Sequence, residues 1–371
     1  MKIAAIEATP VRLPRDLDAA TGTAGSPTRL VASESQYRWS ETVTALYSVN
    51  FETALVKVTT DTGLVGWGEA QAPLAPEVAC TIVDLLLKPV LLGVEFGGTV
   101  EEIENLWERM YSTMRVRGQT GGFMLDAIAG VDLALWDLAG RLGASRPPAR
   151  TQVPAYVSGL RPEEGRRYWE AGFRAFKLYY DRDEAALWES FDALRAATGQ
   201  EAGIAVDALW RLAPDNAAAF GRKLDERNAL WLECPLMPED PAAHVALAQA
   251  IRTPLALGES YRTRYELAPF LGAARVIQPD LGRCGITEAR RIARLAAERG
   301  ATVVPHVSIA LGPQIAAAIS FAAATPNCHL VEYNPKVLEV ANRFLATPIE
   351  VRNGHYHAAK QSPLWRETFS V

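Results

Sequence analysis

The stretch "VIQPDLGRCGITEARRIARLAAERGATVVPH", Val276 to His306, decides the fold. It opens on a short apolar run that ends in a carboxylate, Asp280. It then passes through a helical pattern, "ITEARRIARLAAERG", which Gly300 stops, and begins a second apolar run that ends in His306. Strand, helix and strand in that order imply a parallel sheet. Outward from this unit the pattern repeats. Helical stretches such as "NAAAFGRKLDER", "DPAAHVALAQAIR" and "GPQIAAAISFAAATP" separate short apolar runs, and Asp240-Pro241 reads as an N-cap followed by a proline at the first helical position. The runs are Val153–Ser158, Phe173–Tyr179, Ile204–Asp207, Trp231–Glu233, Leu255–Glu259, Val276–Asp280, Thr302–His306 and Leu330–Glu332. Eight β/α units in about 200 residues predict an α/β fold, a (β/α)8 TIM barrel.

The N-terminal third differs. "ALVKVTTDTGLVGWGEA" gives two β-rich runs around Asp61-Thr62-Gly63, a hairpin signal. Gly63, Gly66 and Gly68 lie in that hairpin and out of order for a dinucleotide fingerprint. Helical patterns follow over roughly 77–90, 101–114 and 122–142, and the third is apolar on nearly every face, which predicts a helix buried between layers. The segment from about Asp16 to Glu41 is long and aperiodic, as lids are. After Asn334 the barrel pattern stops, and the tail "LATPIEVRNGHYHAAKQS" reads as extra strands packing on the first domain. The expected division is an α+β capping domain over 1–125 with 346–371, and a barrel over 126–345.

The chain has 371 residues, 49% hydrophobic and 22% charged, as soluble globular proteins are. A net charge of −5 argues against a nucleic-acid partner. Cys80, Cys234, Cys284 and Cys328 form neither a CxxC pair nor a zinc spacing, the pattern of inert thiols in a reducing compartment. Glu7 and Pro10 break the first apolar stretch before a signal peptide forms, and Asp84, Lys88 and Pro89 interrupt "IVDLLLKPVLLG". A cytoplasmic protein without a membrane partner is expected.

The apolar runs share one feature at their ends. Asp207, Glu233, Glu259, Asp280, His306 and Glu332 close six of them at intervals of 26, 26, 21, 26 and 26 residues. Each unit therefore delivers one ionisable group to the C-terminal mouth, where barrels of this kind carry their active sites. Taken singly, any of them reads as a helix N-cap or a core histidine. Taken together, five carboxylates in a low-dielectric mouth repel one another unless a cation balances them. Asp207, Glu233 and Glu259 supply three hard oxygen ligands with no cysteine or histidine, which suits Mg2+ rather than zinc. Asp280 and His306 sit on adjacent strands, where the carboxylate fixes the imidazole tautomer for general acid/base work. Lys177, Tyr179 and Asp181 in "FRAFKLYYD" share one face of their strand. By itself that is a snorkelling lysine beside a core tyrosine.

The motifs "VDLALWDLAGRLG", "AFKLYY", "VDA", "LECPLMPED", "LALGES", "VIQPDLGRCGIT", "VVPHV" and "LVEYN" resemble the enolase superfamily, mandelate racemase subgroup, over nearly the whole chain. The resemblance implies a modified barrel capped by an α+β domain, and Mg2+-assisted removal of the proton next to a carboxylate through an enediolate. By position it implies Asp207, Glu233 and Glu259 as metal ligands, Asp280–His306 as the dyad, and Glu332 as the electrophile that hydrogen-bonds the substrate carboxylate. Two positions depart from the family pattern. A Lys-x-Lys motif is here Lys177-Leu178-Tyr179, and Asp-x-Asn is here Asp207-Ala208-Leu209. Lys177 is then expected to bind the substrate carboxylate and to lower the pKa of Tyr179, which occupies the second base position. Either Tyr179 is the base, or it donates a hydrogen bond while His306 carries all proton traffic.

The leading expectation is a dehydratase acting on an acid sugar, a small-molecule carboxylate, in a homo-oligomer. Racemisation or epimerisation of a 2-hydroxy acid is the alternative, and a non-catalytic barrel retained for binding is the third. Cycloisomerisation is disfavoured because enzymes of that kind usually carry lysine after the sixth strand. Specificity is expected from the cap loop, including Tyr37, Arg38 and Trp39.

Overall fold

Asp61 to Gly63 turn the chain between two antiparallel strands of the N-terminal sheet, as the hairpin signal predicts. The computed structural model describes residues 1–14, 37–40, 45–48, 50–144 and 149–357. The capping strands are β1 (Ile3–Pro14), β2 (Tyr37–Ser40), β3 (Ala45–Ser48), β4 (Asn50–Thr60) and β5 (Val65–Ala70). β1, β4 and β5 form one antiparallel sheet and β2–β3 a separate hairpin. Most of the segment expected to be a lid lies outside the described residues. Its end, Tyr37–Ser40, is a strand rather than loop, and the Tyr37 hydroxyl donates to the Leu74 carbonyl at 2.6 Å.

The three expected helices are present. The first runs from Pro76 to Leu91 through a π-helical turn at Val83–Leu87, and the others are Val100–Arg115 and Gly122–Arg141. Helix Gly122–Arg141 is apolar nearly all round because it lies between the capping sheet and helix Leu281–Glu298. The contact with β5 is backbone on backbone: a Cβ at Gly68 would come within 1.9 Å of the Gly130 carbonyl oxygen. The expected boundary at 125/126 falls inside this helix. Most of its buried side chains join the capping core, while Leu133 joins the barrel core.

The eight barrel strands are β6 (Gln152–Val157), β7 (Ala175–Tyr179), β8 (Gly203–Asp207), β9 (Leu232–Glu233), β10 (Leu255–Leu257), β11 (Ala274–Ile277), β12 (Thr302–Val303) and β13 (Val331–Tyr333). They pair in parallel in chain order from β6 to β12, and β13 pairs back onto β6. Closure against β12 comes from a bridge between Val303 and Cys328 and from the Glu332 N–H, 3.4 Å from the Pro305 carbonyl. Tyr156 and Trp231, edge to face at 5.3 Å, fill the lower interior with Ala175, Ala205 and Ala256. The barrel is therefore a packed core, and its chemistry is confined to the upper end.

The tail strands β14 (Val351–Arg352) and β15 (His355–His357) correct one expectation. β15 pairs antiparallel with the first half of β6, so it extends the barrel sheet instead of the capping sheet. Tyr356 explains the choice: its ring is buried in the barrel core and its hydroxyl donates to the Glu332 carbonyl at 3.0 Å. The four cysteines are buried and unpaired. Among the described residues no helix is long and apolar enough to cross a membrane.

Candidate active site

Parallel pairing in register sets the site. Tyr179 lies beside Asp207, and Asp207 beside Glu233, on β7, β8 and β9. Asp280 and His306 bridge β11 and β12 just past their last regular residues. Glu259 follows β10 after Gly258, whose φ of 144° leaves no room for a side chain. A Cβ there would meet the Gln278 backbone nitrogen at 2.7 Å. All eight residues expected from the sequence, from Lys177 to Glu332, thus lie on the barrel strands or just past them and converge on one mouth.

Asp207, Glu233 and Glu259 bring one carboxylate oxygen each to within 4.8 Å of one another, and all three are buried. Burial, and then the Glu233 charge, pushes the Asp207 carboxyl well above its ordinary range. A buried all-oxygen triad of this kind fits a hard divalent cation, which removes the repulsion and lets all three ionise. Glu233 is fixed from below by two donors the sequence reading missed. Trp231 Nε1 donates to its Oε2 at 2.9 Å and Gln278 Nε2 to the same oxygen at 2.7 Å. A period-2 signal was available, since Trp231 precedes Glu233 by two residues and Gln278 precedes Asp280 by two.

Lys177 is 1% exposed and lies among carboxylates. Its Nζ is 2.6 Å from Glu233, 3.1 Å from Glu332 and 3.7 Å from Asp207. Burial opposes the ammonium, but Glu233 and Glu332 outweigh it and hold the group charged. Glu332 in turn accepts the Val307 N–H at 3.1 Å. Burial would raise its carboxyl, yet Lys177 and His306 bring it down to about 2. Glu332 is therefore an acceptor here, and the donor role implied by the resemblance requires it to take up a proton.

His306 Nδ1 faces Asp280 Oδ2 at 2.8 Å, which directs Nε2 into the mouth, 3.4 Å from Glu259 and 3.8 Å from Glu332. Burial lowers the imidazole, but Glu259, Glu332 and the bond to Asp280 raise it to about 10.

At Tyr179 two effects oppose each other. Lys177 Nζ stands 5.5 Å from its ring centroid and does favour the phenolate, but burial outweighs it and pushes the phenol above its ordinary value.

Beyond Asp207 the chain turns through two residues in the left-handed region, Leu209 (φ 50°) and Trp210 (φ 57°). The Leu209 N–H donates to Asp207 Oδ1 at 2.9 Å. The turn opens a cavity of about 310 Å³ lined by Leu209, Trp210, Arg211, Arg182 and Ser260. Arg211 Nη1 donates to the Tyr180 carbonyl at 2.5 Å, while Nε and Nη2 are buried without an acceptor among the described residues. Nothing in the local sequence pattern singles Arg211 out.

Residues 161–363 match the family model described as enolase C-terminal domain-like, and residues 30–145 match the mandelate racemase / muconate lactonizing enzyme N-terminal domain. The chain is similar to a D-galactarolactone cycloisomerase of Agrobacterium fabrum, 32% identical over 329 residues, with 81% of this chain and 84% of the relative covered. It is also similar to a D-galactonate dehydratase of Variovorax paradoxus, 32% identical over 294 residues, with 71% and 73% covered. Among solved structures, an enolase superfamily member from Agrobacterium tumefaciens superposes with a TM-score of 0.87 at 28% identity, over 98% of this chain and 95% of that one. With both domain matches on one chain and the acidic residues gathered at the mouth of a capped barrel, the protein belongs to the mandelate racemase/muconate lactonizing enzyme family of the enolase superfamily.

Proposed function

We propose that this protein is a Mg2+-dependent acid-sugar dehydratase, a carbon–oxygen lyase that converts a mono- or diacid sugar to its 2-keto-3-deoxy product. The observation that carries the proposal is His306, bonded through Nδ1 to Asp280 and aimed through Nε2 at the mouth that holds the carboxylate triad. Asp207, Glu233 and Glu259 would hold the cation, whose positive charge would anchor the substrate carboxylate and stabilise the charge that builds there as the α-proton leaves. Lys177 binds the same carboxylate by hydrogen bond and charge. The α-proton goes to Tyr179 or to His306 Nε2. A protonated His306 then gives its Nε2 proton to the β-hydroxyl, which departs as water, and the enol left behind tautomerises to the keto acid. The Arg211 guanidinium donors that lack an acceptor among the described residues, four positions after Asp207 and in the lining of the adjoining cavity, suit the oxygen-rich tail of a sugar acid.

Epimerisation is the second reading, favoured by Tyr179 and His306 standing on β7 and β12 with the triad strands between them. Both readings are tested by one screen. The protein is incubated with Mg2+ and a panel of monoacid sugars, diacid sugars and sugar lactones, in H2O and in D2O, with a chelated control. The proposal expects a 2-keto product from at least one acid sugar and none after chelation. Deuterium at the α-carbon without keto product would make the protein an epimerase, and lactone opening alone a cycloisomerase. Full activity in chelator, or neither product nor exchange across the panel, would overturn the assignment.

A further inference from the structure

Asp280 is fully buried, and each of its oxygens receives two donors. Oδ1 accepts the Gly282 N–H at 2.9 Å and Gln314 Nε2 at 2.8 Å. Oδ2 accepts His306 Nδ1 at 2.8 Å and the side-chain amide of Gln71 at 3.0 Å. Gln71 takes the orientation in which its nitrogen faces Asp280 and its oxygen accepts from Ser308 Oγ at 2.9 Å. The opposite orientation would set a carbonyl oxygen against a carboxylate. Four donors saturate the lone-pair sites of a carboxylate, so Asp280 cannot rotate without breaking bonds.

Gln314 sits in the first turn of a barrel helix, Pro313–Ala324, whereas Gln71 follows β5 of the cap. The backbone N–H of Gln71 donates to Gly282 C=O at 2.9 Å. Two residues earlier Glu69 also enters the barrel, accepting the Leu311 N–H at 2.7 Å and the Gln314 N–H at 3.1 Å. The end of one capping strand thus holds both the helix that carries Gln314 and, through Gln71, the carboxylate itself.

We infer that Gln71 and Gln314 are positioning residues for the Asp280–His306 pair, and that Gln71 makes the geometry of that pair depend on the seating of the cap. The inference rests on the proposed role of His306 in proton transfer. Its physical content is that Asp280, locked by donors from two domains, holds the His306 ring at one angle and in one tautomer, with Nε2 toward substrate. Loss of the Gln71 donor leaves Oδ2 bonded to His306 alone, so the ring samples orientations that do not transfer a proton.

The test uses Gln71→Leu, Gln71→Glu and Gln314→Leu in the full chain. The primary readout needs no substrate. In [15N]histidine-labelled protein, which carries five histidines, the Nδ1–H signal of His306 is the one missing from His306→Asn. It is expected to shift and broaden in each variant, most in Gln71→Glu, which turns a donor of nearly the same shape into a second carboxylate. With a turned-over acid sugar, kcat is expected to fall about tenfold or more, as proton-transfer groups lose efficiency when misplaced, while KM stays within about twofold. An unchanged signal in Gln71→Glu would overturn the inference, as would a loss of kcat that simply follows a loss of folded protein. A perturbed signal with no acid sugar turned over by the parent protein would leave the positioning role standing and remove the dehydratase assignment.

Discussion

Lys177 Nζ donates to Glu233 Oε1 at 2.6 Å, so an ammonium on β7 and a carboxylate on β9 share a hydrogen bond across the intervening strand. The same carboxylate belongs to the triad that fits a cation. The lysine and a cation bound there would therefore act on Glu233 with charges of the same sign. Two unit charges 4 Å apart exchange about 4 kcal/mol at an effective dielectric of 20. Lys177→Met is expected to bind Mg2+ at least about tenfold more tightly, ~1.4 kcal/mol being a modest share of that energy. In chelator the same variant should be less stable by about 3–5 kcal/mol, because Glu233 and Glu332 lose their buried partner. Calorimetric Mg2+ titration and denaturant unfolding check the two effects. Weaker Mg2+ binding in the variant would show that Lys177 organises the triad instead of competing with its cation.

In the proposed reaction the proton work falls to Tyr179, to His306 or to both, and two variants resolve which. Burial favours the neutral Tyr179 phenol, while the bond to Asp280 orients the His306 ring. If His306 is the sole base, His306→Asn abolishes exchange of the substrate α-proton with D2O, and Tyr179→Phe retains exchange with a lower rate. If Tyr179 is the base, Tyr179→Phe loses at least the roughly 10²–10⁴ that general base catalysis contributes, and His306→Asn still exchanges without forming keto product. Dehydration surviving in both would mean that neither residue carries the proton.

Gly258→Ala should disable the site without unfolding the protein. The φ of 144° disfavours any side chain, and the added Cβ would press on the backbone of Gln278, just past β11. The strain moves Glu259 and Gln278 together, and Gln278 is a donor to Glu233. Mg2+ affinity is expected to fall by about tenfold or more, the loss seen when supporting hydrogen bonds of a metal site are disturbed. A variant with parental Mg2+ affinity would show that the strand accommodates the methyl group.

Glu69 makes stability depend on pH. Burial raises its carboxyl from about 4.5 to about 7, with the Leu311 and Gln314 N–H groups working in the other direction. A folded-state value above the unfolded one means that the folded protein holds the proton more tightly. The contribution is fully present below about pH 4.5 and is lost as pH rises through 7. Relative to Glu69→Gln, which does not titrate, the parent protein should lose about 3 kcal/mol between pH 4.5 and 8, because each pH unit separating the folded value from the unfolded one is worth ~1.36 kcal/mol. Urea unfolding of both proteins across that range measures the difference. A pH-independent gap would show that Glu69 stays ionised throughout.

The positions of the barrel strands and of the ionisable groups at their ends were legible because both are local properties of the chain. An apolar run closed by a charged residue and followed by a capped helix needs no knowledge of its neighbours, and near-constant spacing carries Asp207, Glu233, Glu259, Asp280, His306 and Glu332 to one mouth. The hairpin at Asp61–Gly63 and the helix buried between layers were legible for the same reason.

What depends on segments far apart in sequence was decided by the tertiary structure alone. The tail pairs with β6 because Tyr356 finds a place in the barrel core, which no period in "HYH" announces. Burial, rather than the nearby ammonium, sets the balance at Tyr179, because desolvation is a property of the surrounding packing. Gln71 meets Asp280 across more than half of the chain because β5 ends where the barrel mouth begins, and a glutamine in a loop carries no pattern of its own. Sequence spacing specified which groups reach the mouth, and the packing of cap on barrel specified how each is held and charged there.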